Sequence, residues 1–285
     1  MLIGLWVTIL GTCIVPELPE VETVCRGLRP YMEGKVLQNV VLHRSNLRNP
    51  FPPMFAERLQ GQVVSKINRR GKYILVELPD YTWMMHLGMS GRIQRSSVAD
   101  YIHQKHDHVV WQVDDMTFAF NDARRFGDMD LLPKGQMCLP IKTMAPEPFE
   151  IEAGDFYKRL QRTTRPLKTS LLDQAIIAGL GNIYVCEALW QSGLSPFKVS
   201  DSITLKQTQF LLKNICEVLE RAIQSGGASL RDHKTVEGTL GYFQHQFRVY
   251  DQKGTPCLTD KCFGTIKREA QSGRSTYYCS TCQKN

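Results

Sequence analysis

The sequence predicts an α+β protein with a strand-rich N-terminal half, a helical second half and a small β-hairpin at the C-terminus. Short runs of branched and aromatic residues, bounded by Gly, Pro or Asp, recur between residues 35 and 120. From Ala153 the apolar residues recur at helical spacing instead. Four cysteines in two close pairs then occupy residues 257–282. The close spacing of the short strands is typical of a β-sandwich.

The first predicted helix begins at Pro19. Proline suits the first helical position, because its missing N–H would have no partner there. Glu20 and Glu22 lie in the first turn, where the helix dipole favours negative charge. The apolar residues that follow at i, i+3, i+4 and i+7 predict one buried stripe: Val21, Val24, Cys25 and Leu28. A helix start does not explain the additional pair Pro16-Glu17 that precedes it.

The strands of the first domain are predicted from runs that are rich in branched or aromatic residues. They cover residues 36–42, 63–67, 73–78, 82–87, 108–113 and 117–121. An Asp114-Asp115 turn joins the last two, and a short helix over residues 54–59 interrupts the series. These elements together predict a β-sandwich with flanking helices.

The main domain boundary is placed at residues 146–152, because alternating prolines prevent a helix and stiffen the chain. The predicted division is an extension, a sandwich domain, a linker, a helical domain and a terminal hairpin: residues 1–15, 16–145, 146–152, 153–245 and 246–285. The second half is predicted to contain helices over residues 155–162, 168–178, 183–190 and 204–224. Asn182 directly precedes the third of these helices and would be a good N-cap for it.

The charge of the chain is basic, with a formal net charge of +7 and a pI of about 8.9. Most of the excess is C-terminal, since residues 151–285 carry 18 Lys/Arg against 12 Asp/Glu and residues 1–150 carry 17 against 16. This distribution suits a polyanion such as nucleic acid, although charge alone favours a merely basic soluble protein. Five of the nine cysteines are scattered, which indicates a reducing compartment.

Three turns carry residues that the fold class does not explain. Residues 69–72 (Arg-Arg-Gly-Lys) precede a strand and fit a solvated basic turn. His86 ends a strand, and the glycines on both sides of Met89 would expose that methionine, which is unusual for this residue type. Another turn presents Arg124 and Phe126. Each of these signals is weak alone.

The C-terminal cysteines follow the pattern C-x4-C-x16-C-x2-C: Cys257, Cys262, Cys279 and Cys282. Two close pairs on two turns can surround one Zn²⁺ tetrahedrally, and four thiolates leave no open position, so the zinc is predicted to be structural. Ile266 and Tyr277-Tyr278 lie on either side of Gly273, which predicts a hairpin with residues 271–276 at its tip. Because such a hairpin has almost no core, metal binding should supply much of its folding energy.

Residues 16–23 (PELPEVET) resemble the mature N-terminus of the bacterial formamidopyrimidine-DNA glycosylases, and motifs in the same order extend the resemblance to Gln283. The resemblance implies an N-terminal β-sandwich, a helix–two-turn–helix domain and a terminal zinc-finger β-hairpin. It also implies a bifunctional DNA glycosylase and abasic-site lyase that removes 8-oxoguanine and formamidopyrimidines from double-stranded DNA. The implied cofactor is one structural zinc ion.

The resemblance further assigns roles to single residues. Pro16 matches the nucleophile, because a proline with a free N-terminus is a secondary amine that titrates at about 7.7–8.0 and can form an iminium with C1′ of the deoxyribose. Glu17 matches the proton shuttle. The residues implied to hold phosphates or otherwise contact the DNA are Lys72, His86, Lys168, Asn182 and Arg274. The gap left by the everted nucleotide would be filled by Met89, Arg124 and Phe126.

The residues before Pro16 leave more than one function open. An internal proline has an amide nitrogen and cannot be the nucleophile, so the extension would have to be a start-site artefact or be removed. A chain that retained the extension would be a non-catalytic lesion-binding protein. The sequence also admits an endonuclease-VIII-like enzyme for oxidised pyrimidines and a zinc-ribbon protein–protein adaptor.

The location of the protein is predicted from its cysteine usage and from the family resemblance. Residues 1–15 carry no charge, lack a basic n-region and are shorter than the roughly 20 residues that a membrane span needs, so a membrane span is not expected there. We expect a monomer in the bacterial cytoplasm, associated with the nucleoid. Residues 225–242 match the family loop that closes over the everted base, but the sequence does not identify which of them read it.

Overall fold

The computed structural model describes residues 15–228, Val236 and residues 241–285. The first domain contains helix α1 (Leu18–Met32), helix α2 (Phe55–Leu59) and eight strands: β1 (Gln38–Leu42), β2 (Lys66–Arg70), β3 (Tyr73–Glu77), β4 (Tyr81–His86), β5 (Arg92–Ser97), β6 (Asp107–Val113), β7 (Met116–Asn121) and β8 (Asp128–Pro133). The strands form two antiparallel sheets of four, in the orders β1-β6-β7-β5 and β2-β3-β4-β8. The predicted β-sandwich is therefore confirmed.

One apolar core lies between the two sheets and α1. Trp83 and Trp111 meet edge to face with ring centroids 5.0 Å apart, and Trp111 stacks on Phe118 at 5.6 Å. All four residues of the predicted α1 stripe are buried in this core, together with Met32. Burial of large aromatic side chains supplies most of the stabilisation that such a core provides.

Strands β5 and β8 were not predicted from the sequence. Both lie at the edge of their sheet, and each buries only one or two side chains. An edge strand with one partly exposed face carries a weaker apolar signal than a central strand, which explains why the pattern missed them.

Helix α3 (Leu139–Lys142) lies at the end of the first domain, just before the linker. The second half contains four α-helices in the described range: α4 (Ala153–Leu160), α5 (Leu167–Leu171), α6 (Asn182–Gln191) and α7 (Leu205–Gln224). The predicted helix over residues 168–178 is wrong, because α5 ends at Leu171 and turns follow. The Gln174 side chain stabilises these turns by accepting from the Gly179 N–H (2.8 Å) and donating to the Leu180 carbonyl (3.1 Å). A buried apolar run in a turn has the same composition as a buried helix, so the sequence could not separate them.

The terminal module is a hairpin of β9 (Ile266–Gln271) and β10 (Arg274–Cys279), and Arg274 pairs with Gln271 next to the Ser272-Gly273 turn. This register confirms the predicted hairpin. Ile266, Tyr277 and Cys279 pack into the core of the helical domain. Among the described residues no helix combines the length and the apolar character that a membrane crossing requires.

Candidate active site and nucleic-acid interface

A cavity of about 270 Å³ opens where the start of α1, the turn after β2, the start of α6 and the terminal hairpin meet. Its lining residues are Val15, Glu17, Lys72, Met89, Gly181, Asn182, Ile183, Tyr250, Arg274 and Ser275. Five residues that the sequence singled out separately therefore share one cavity. Pro16 is buried and lies between Val15 and Glu17, which both line the cavity, whereas residues 1–14 of the predicted extension lie outside the described residues.

The Glu17 carboxylate is bound by the N-terminus of α6. Its Oε1 accepts from the Ile183 N–H at 2.9 Å and its Oε2 accepts from the Tyr184 N–H at 3.4 Å. The first N–H groups of a helix have no partner within the helix, so they are free to bind an acid. Gly181 makes this approach possible, since a Cβ at that position would lie 2.2 Å from Glu17 Cδ.

The pKa of Glu17 is raised to about 7, mainly by burial and also by the neighbouring Glu20 carboxyl, whereas Lys72 and the two α6 N–H groups oppose the shift. Glu20 is fully buried and accepts from the Glu17 N–H (2.9 Å), the Ala228 N–H (2.8 Å) and the Tyr184 hydroxyl (2.5 Å). Burial likewise raises the pKa of Glu20. A carboxyl that titrates near neutrality can both hold and release a proton at physiological pH.

Two cationic side chains, Lys72 and Arg274, face Glu17 across the cavity. Burial lowers the pKa of Lys72, and the Arg274 charge adds to this, whereas the Glu17 carboxylate opposes it. Lys72 and Arg274 also line an adjoining cavity of about 440 Å³ together with His86. A groove with two cations at its centre suits a phosphate of a polyanionic ligand.

His86 lies in this adjoining cavity as a neutral imidazole. Burial, Lys72 and Arg48 lower its pKa to about 4, and its Nδ1 accepts from the Gly88 N–H at 3.0 Å. The Nε2 atom must then carry the remaining ring hydrogen, because a neutral imidazole has one donor nitrogen. His86 can therefore donate one hydrogen bond to an acceptor in the groove.

The side chains of Asn182 and Lys168 both bind strand β10. Asn182 is the first residue of α6 and Gly181 is the N-cap, so the prediction that Asn182 caps the helix is wrong. Its Nδ2 donates to the Ser275 carbonyl at 2.9 Å. Lys168 is 1% exposed, and its Nζ donates to the same carbonyl at 3.0 Å and to Thr276 Oγ1 at 2.8 Å. In this structure the Lys168 ammonium holds β10 and does not line the cavity, in contrast to the predicted phosphate contact.

The predicted wedge residues lie on two neighbouring turns. Arg124 and Phe126 are exposed, and the Arg124 guanidinium lies 5.0 Å from the centroid of the Phe126 ring. Met89 is half-buried and lines the cavity, so it is less exposed than its flanking glycines predicted. A cation over an aromatic face is a favourable contact and keeps both side chains on one side of the turn.

Asp122 joins these two turns. It is fully buried, accepts from the Ser90 hydroxyl of the Met89 turn, and accepts from the Gly127 N–H of its own turn at 2.8 Å. Gly88 has a φ of +65°, and a Cβ there would lie 2.3 Å from the Phe126 carbonyl carbon. Met89 and Phe126 are therefore held by one rigid unit.

The four C-terminal cysteines meet the geometric test for zinc. Their sulfur atoms all lie within 4.8 Å of one another, and the Sγ atoms of Cys257 and Cys282, and of Cys262 and Cys279, are 3.7 Å apart. A tetrahedral ion with Zn–S bonds of about 2.3 Å separates its sulfurs by about 3.8 Å. The cluster therefore fits one structural zinc ion with no open coordination position.

The sequence did not identify Tyr250 and Tyr184 as residues of the site. It also did not predict that the Glu20 carboxylate accepts from the Glu17 N–H and the Tyr184 hydroxyl. Tyr250 reaches the cavity because the Glu187 carboxylate accepts from the N–H groups of Arg248, Val249 and Tyr250 at 2.8–3.1 Å. No local pattern around Tyr250 signals this long-range contact. Most of the predicted base-reading loop, residues 229–235 and 237–240, lies outside the described residues.

Three known domain families match the chain in order. The formamidopyrimidine-DNA glycosylase N-terminal domain matches residues 15–129, the formamidopyrimidine-DNA glycosylase H2TH domain matches residues 144–234, and the zinc finger found in FPG and IleRS matches residues 256–285. These three matches reproduce the sandwich, helical and hairpin parts of the fold.

Relatives and solved structures agree with this assignment. Formamidopyrimidine-DNA glycosylases of Cereibacter sphaeroides and Ruegeria pomeroyi are 45% and 46% identical to the chain, and each alignment covers 95% of this chain and 100% of the relative. The crystal structure of the Thermus thermophilus MutM (Fpg) protein superposes with a TM-score of 0.84 at 35% identity and covers 94% of this chain and 98% of that one. The Lactococcus lactis Fpg in complex with abasic-site DNA superposes with a TM-score of 0.85 at 31% identity and covers 95% and 100%. The chain belongs to the formamidopyrimidine-DNA glycosylase family.

Proposed function

We propose that the protein is a base-excision repair DNA glycosylase with abasic-site lyase activity. Its substrates would be oxidised purines in double-stranded DNA, namely 8-oxoguanine and formamidopyrimidines. The observation that carries the proposal is Glu17, a buried carboxyl with a pKa of about 7 that shares a cavity with Lys72 and Arg274. The chemistry of base removal needs such a proton carrier next to cations that hold the phosphates.

The proposed reaction uses the nitrogen of Pro16. In a chain that begins at Pro16, this secondary amine attacks C1′ of the deoxyribose, the bond from C1′ to the base breaks, and the base leaves with a proton. Glu17 gives and takes the protons in these steps. The C1′–O4′ bond then opens, O4′ takes a proton, and the C1′ adduct becomes an iminium. The iminium acidifies the neighbouring C2′–H bond, so the 3′ and then the 5′ phosphate leave in two eliminations and the strand is nicked.

The groove residues would bind the damaged duplex. Lys72, Arg274, Asn182 and His86 would hold the phosphates that flank the everted nucleotide, and Lys168 would support them through β10. The space left in the duplex would be filled by Met89, Arg124 and Phe126. These contacts make the affinity strongly dependent on salt, because each neutralised phosphate releases counterions. The enzyme would act as a monomer in the bacterial cytoplasm.

Borohydride trapping on an 8-oxoguanine:cytosine duplex tests the proposal directly, because borohydride reduces an iminium to a permanent crosslink. We expect a crosslink from a chain that begins at Pro16 and none from a chain whose intact Met1 start is confirmed by mass. DNA binding by both chains without any crosslink would mean a lesion-binding protein. A crosslink from the intact Met1 chain would assign the nucleophile to a lysine.

The lesion preference needs a second assay. Cleavage of 8-oxoguanine and thymine-glycol duplexes is compared side by side under the same conditions. Faster cleavage of the 8-oxoguanine duplex is expected. A preference for thymine glycol would replace the oxidised-purine assignment with an endonuclease-VIII-like one.

A further inference from the structure

The linker between the two domains carries a buried acid that no step of the proposed reaction uses. Glu147 is 5% exposed. Its carboxylate binds the Arg69 guanidinium through two parallel hydrogen bonds, Nη1 to Oε1 at 2.7 Å and Nη2 to Oε2 at 2.6 Å. Oε1 also accepts from the Gly71 N–H at 2.6 Å. A paired, buried carboxylate of this kind fixes geometry as well as charge.

Arg69 and Arg70, the last two residues of β2, both bind residues at the domain boundary. Arg69 also contacts Glu22 of α1 at 3.1 Å. Arg70 donates to the carbonyls of Met144 and Ala145 at 3.1 and 2.6 Å. The prediction of a solvated basic turn is therefore wrong for Arg69, whose side chain is only 9% exposed.

Lys72 follows this turn directly and depends on it. Among the described residues, the Lys72 ammonium has neither a hydrogen bond nor an ion pair within 4.0 Å, so its place in the cavity is set by the backbone that carries it. That backbone has little freedom, because Gly71 has a φ of +56° and a Cβ there would lie 2.6 Å from Met144 Sδ. Glu147 holds the same turn from the linker side.

The linker also reaches the other wall of the cavity. The Ala145 N–H donates to the Gln174 carbonyl at 2.8 Å, and the Ala178 N–H donates to the Pro146 carbonyl at 3.2 Å. The carbonyl of the next residue, Gly179, accepts from the N–H of Leu18 at 3.1 Å, and Leu18 directly follows Glu17. A continuous chain of contacts thus connects the Lys72 turn with the start of α1.

We propose that Glu147 is a positioning residue that fixes Lys72 opposite Glu17 across the domain boundary. The inference rests on the proposed function, because Lys72 and Glu17 are given their tasks there. Glu147 itself contacts neither the cavity nor a substrate, so it acts through Arg69 and Gly71. Displacement of a reacting group by about 1 Å can lower a rate by as much as about 100-fold.

The test compares Glu147→Gln with Glu150→Gln in the chain that begins at Pro16. Glu150 is exposed, lies three residues further along the linker, and makes no side-chain hydrogen bond or ion pair in the part of the chain that the structure describes. The measurements are single-turnover base excision on an 8-oxoguanine duplex from pH 5 to 9, the thermal midpoint, and the bound zinc. We expect a 10- to 100-fold lower rate for Glu147→Gln and an unchanged rate for Glu150→Gln.

The pH profile separates positioning from a merely structural role. Lys72 lowers the pKa of Glu17, so a displaced Lys72 should shift the limb of the profile that reports Glu17 to higher pH. A lower thermal midpoint with an unchanged profile would overturn the inference. If Glu147→Gln does not fold, Glu147→Asp keeps the charge, shortens the reach by one methylene and is tested in the same way. If the unsubstituted chain that begins at Pro16 binds the duplex but is inactive, the proposed function is overturned, and this inference with it.

Discussion

Lys72 and Arg274 lie in the same cavity, but the chain places them there by different means. Lys72 follows a strand of the sandwich, above a large aromatic core, and its turn is fixed by the Arg69–Glu147 ion pair. Arg274 lies at the tip of a two-stranded hairpin that contributes only Ile266, Tyr277 and Cys279 to a core. The hairpin is held by its cysteines and by the Lys168 and Asn182 side chains.

The difference lies in how stability is distributed. In the sandwich it is spread over many buried side chains, so one substitution should weaken the domain without removing Lys72 from the cavity. In the hairpin it is concentrated in four metal ligands, and metal binding in small modules is inseparable from folding. Zinc removal should therefore take Arg274 out of the cavity in a single step, whereas substitutions in the sandwich core should displace Lys72 only gradually.

The largest effect on DNA affinity is expected from zinc loss, either by chelation or by Cys279→Ser. The hairpin should unfold, and affinity for a lesion duplex should fall by about 100-fold or more, because Arg274 and the backbone that Lys168 holds leave the groove. Fluorescence anisotropy and metal analysis measure the two quantities. Cys138→Ser, outside the cluster, should leave both unchanged. Undiminished DNA affinity in the zinc-free protein would contradict the conclusion that the hairpin depends on its metal to keep Arg274 in the groove.

Trp83→Ala tests the sandwich side. Trp83 is fully buried at the centre of the core, so its truncation should lower the free energy of unfolding by about 3–5 kcal/mol. The protein that remains folded should keep its zinc and its affinity for DNA. Urea denaturation measures the loss, with Phe263→Ala as the control, since Phe263 is 97% exposed and should change stability by less than about 0.5 kcal/mol. Loss of zinc together with the sandwich would show that the two regions do not unfold independently.

Glu17→Gln tests the junction between the regions. Because the pKa of Glu17 rises from 4.5 to about 7 on folding, the folded state keeps a proton between these pH values that the unfolded chain has lost. The wild-type protein should therefore lose about 3 kcal/mol of stability as the pH rises through this window, whereas Gln does not titrate.

The stability advantage of Glu17→Gln should accordingly grow by about 3 kcal/mol between pH 4.5 and pH 8, while base excision falls by about 100- to 10,000-fold. Urea denaturation at both pH values and single-turnover excision measure the two effects. A difference in stability that does not vary with pH would mean that Glu17 is not a neutral-range acid in the folded protein.

The smallest effect is expected from Lys168→Met. The substitution removes two hydrogen bonds to β10, but Asn182 still binds the Ser275 carbonyl and the zinc ligands remain. Affinity for the lesion duplex should fall by about tenfold, which corresponds to about 1.4 kcal/mol, with the zinc content unchanged. Lys158→Met, on an exposed side chain of α4, is the matched control. A loss as large as that of zinc removal would make Lys168 a direct ligand of the DNA.

Local patterns in the sequence were sufficient for some elements. The apolar stripe of α1 predicted its buried face, and the cysteine spacing with Gly273 between two strand-like runs predicted the hairpin and its metal. They failed where a partner far along the chain decides the outcome. The sequence predicted a solvated Arg69, but its side chain binds the distant Glu147. It also predicted a helix over residues 172–178, where the structure has turns that the Gln174 side chain stabilises through the Leu180 carbonyl.

The sequence by itself determined the fold class, the order of the domains, the zinc ligands and the residues that resemble a glycosylase site. Those properties follow from the short-range spacing of residues, which can be read directly from a single sequence. Only the tertiary structure decided that Glu17 is buried against α6, that Lys168 supports β10 and that Glu147 holds the Lys72 turn. Burial and charge pairing depend on which distant segments meet, because the free energy of a buried charge is set by its surroundings and not by its neighbours in sequence.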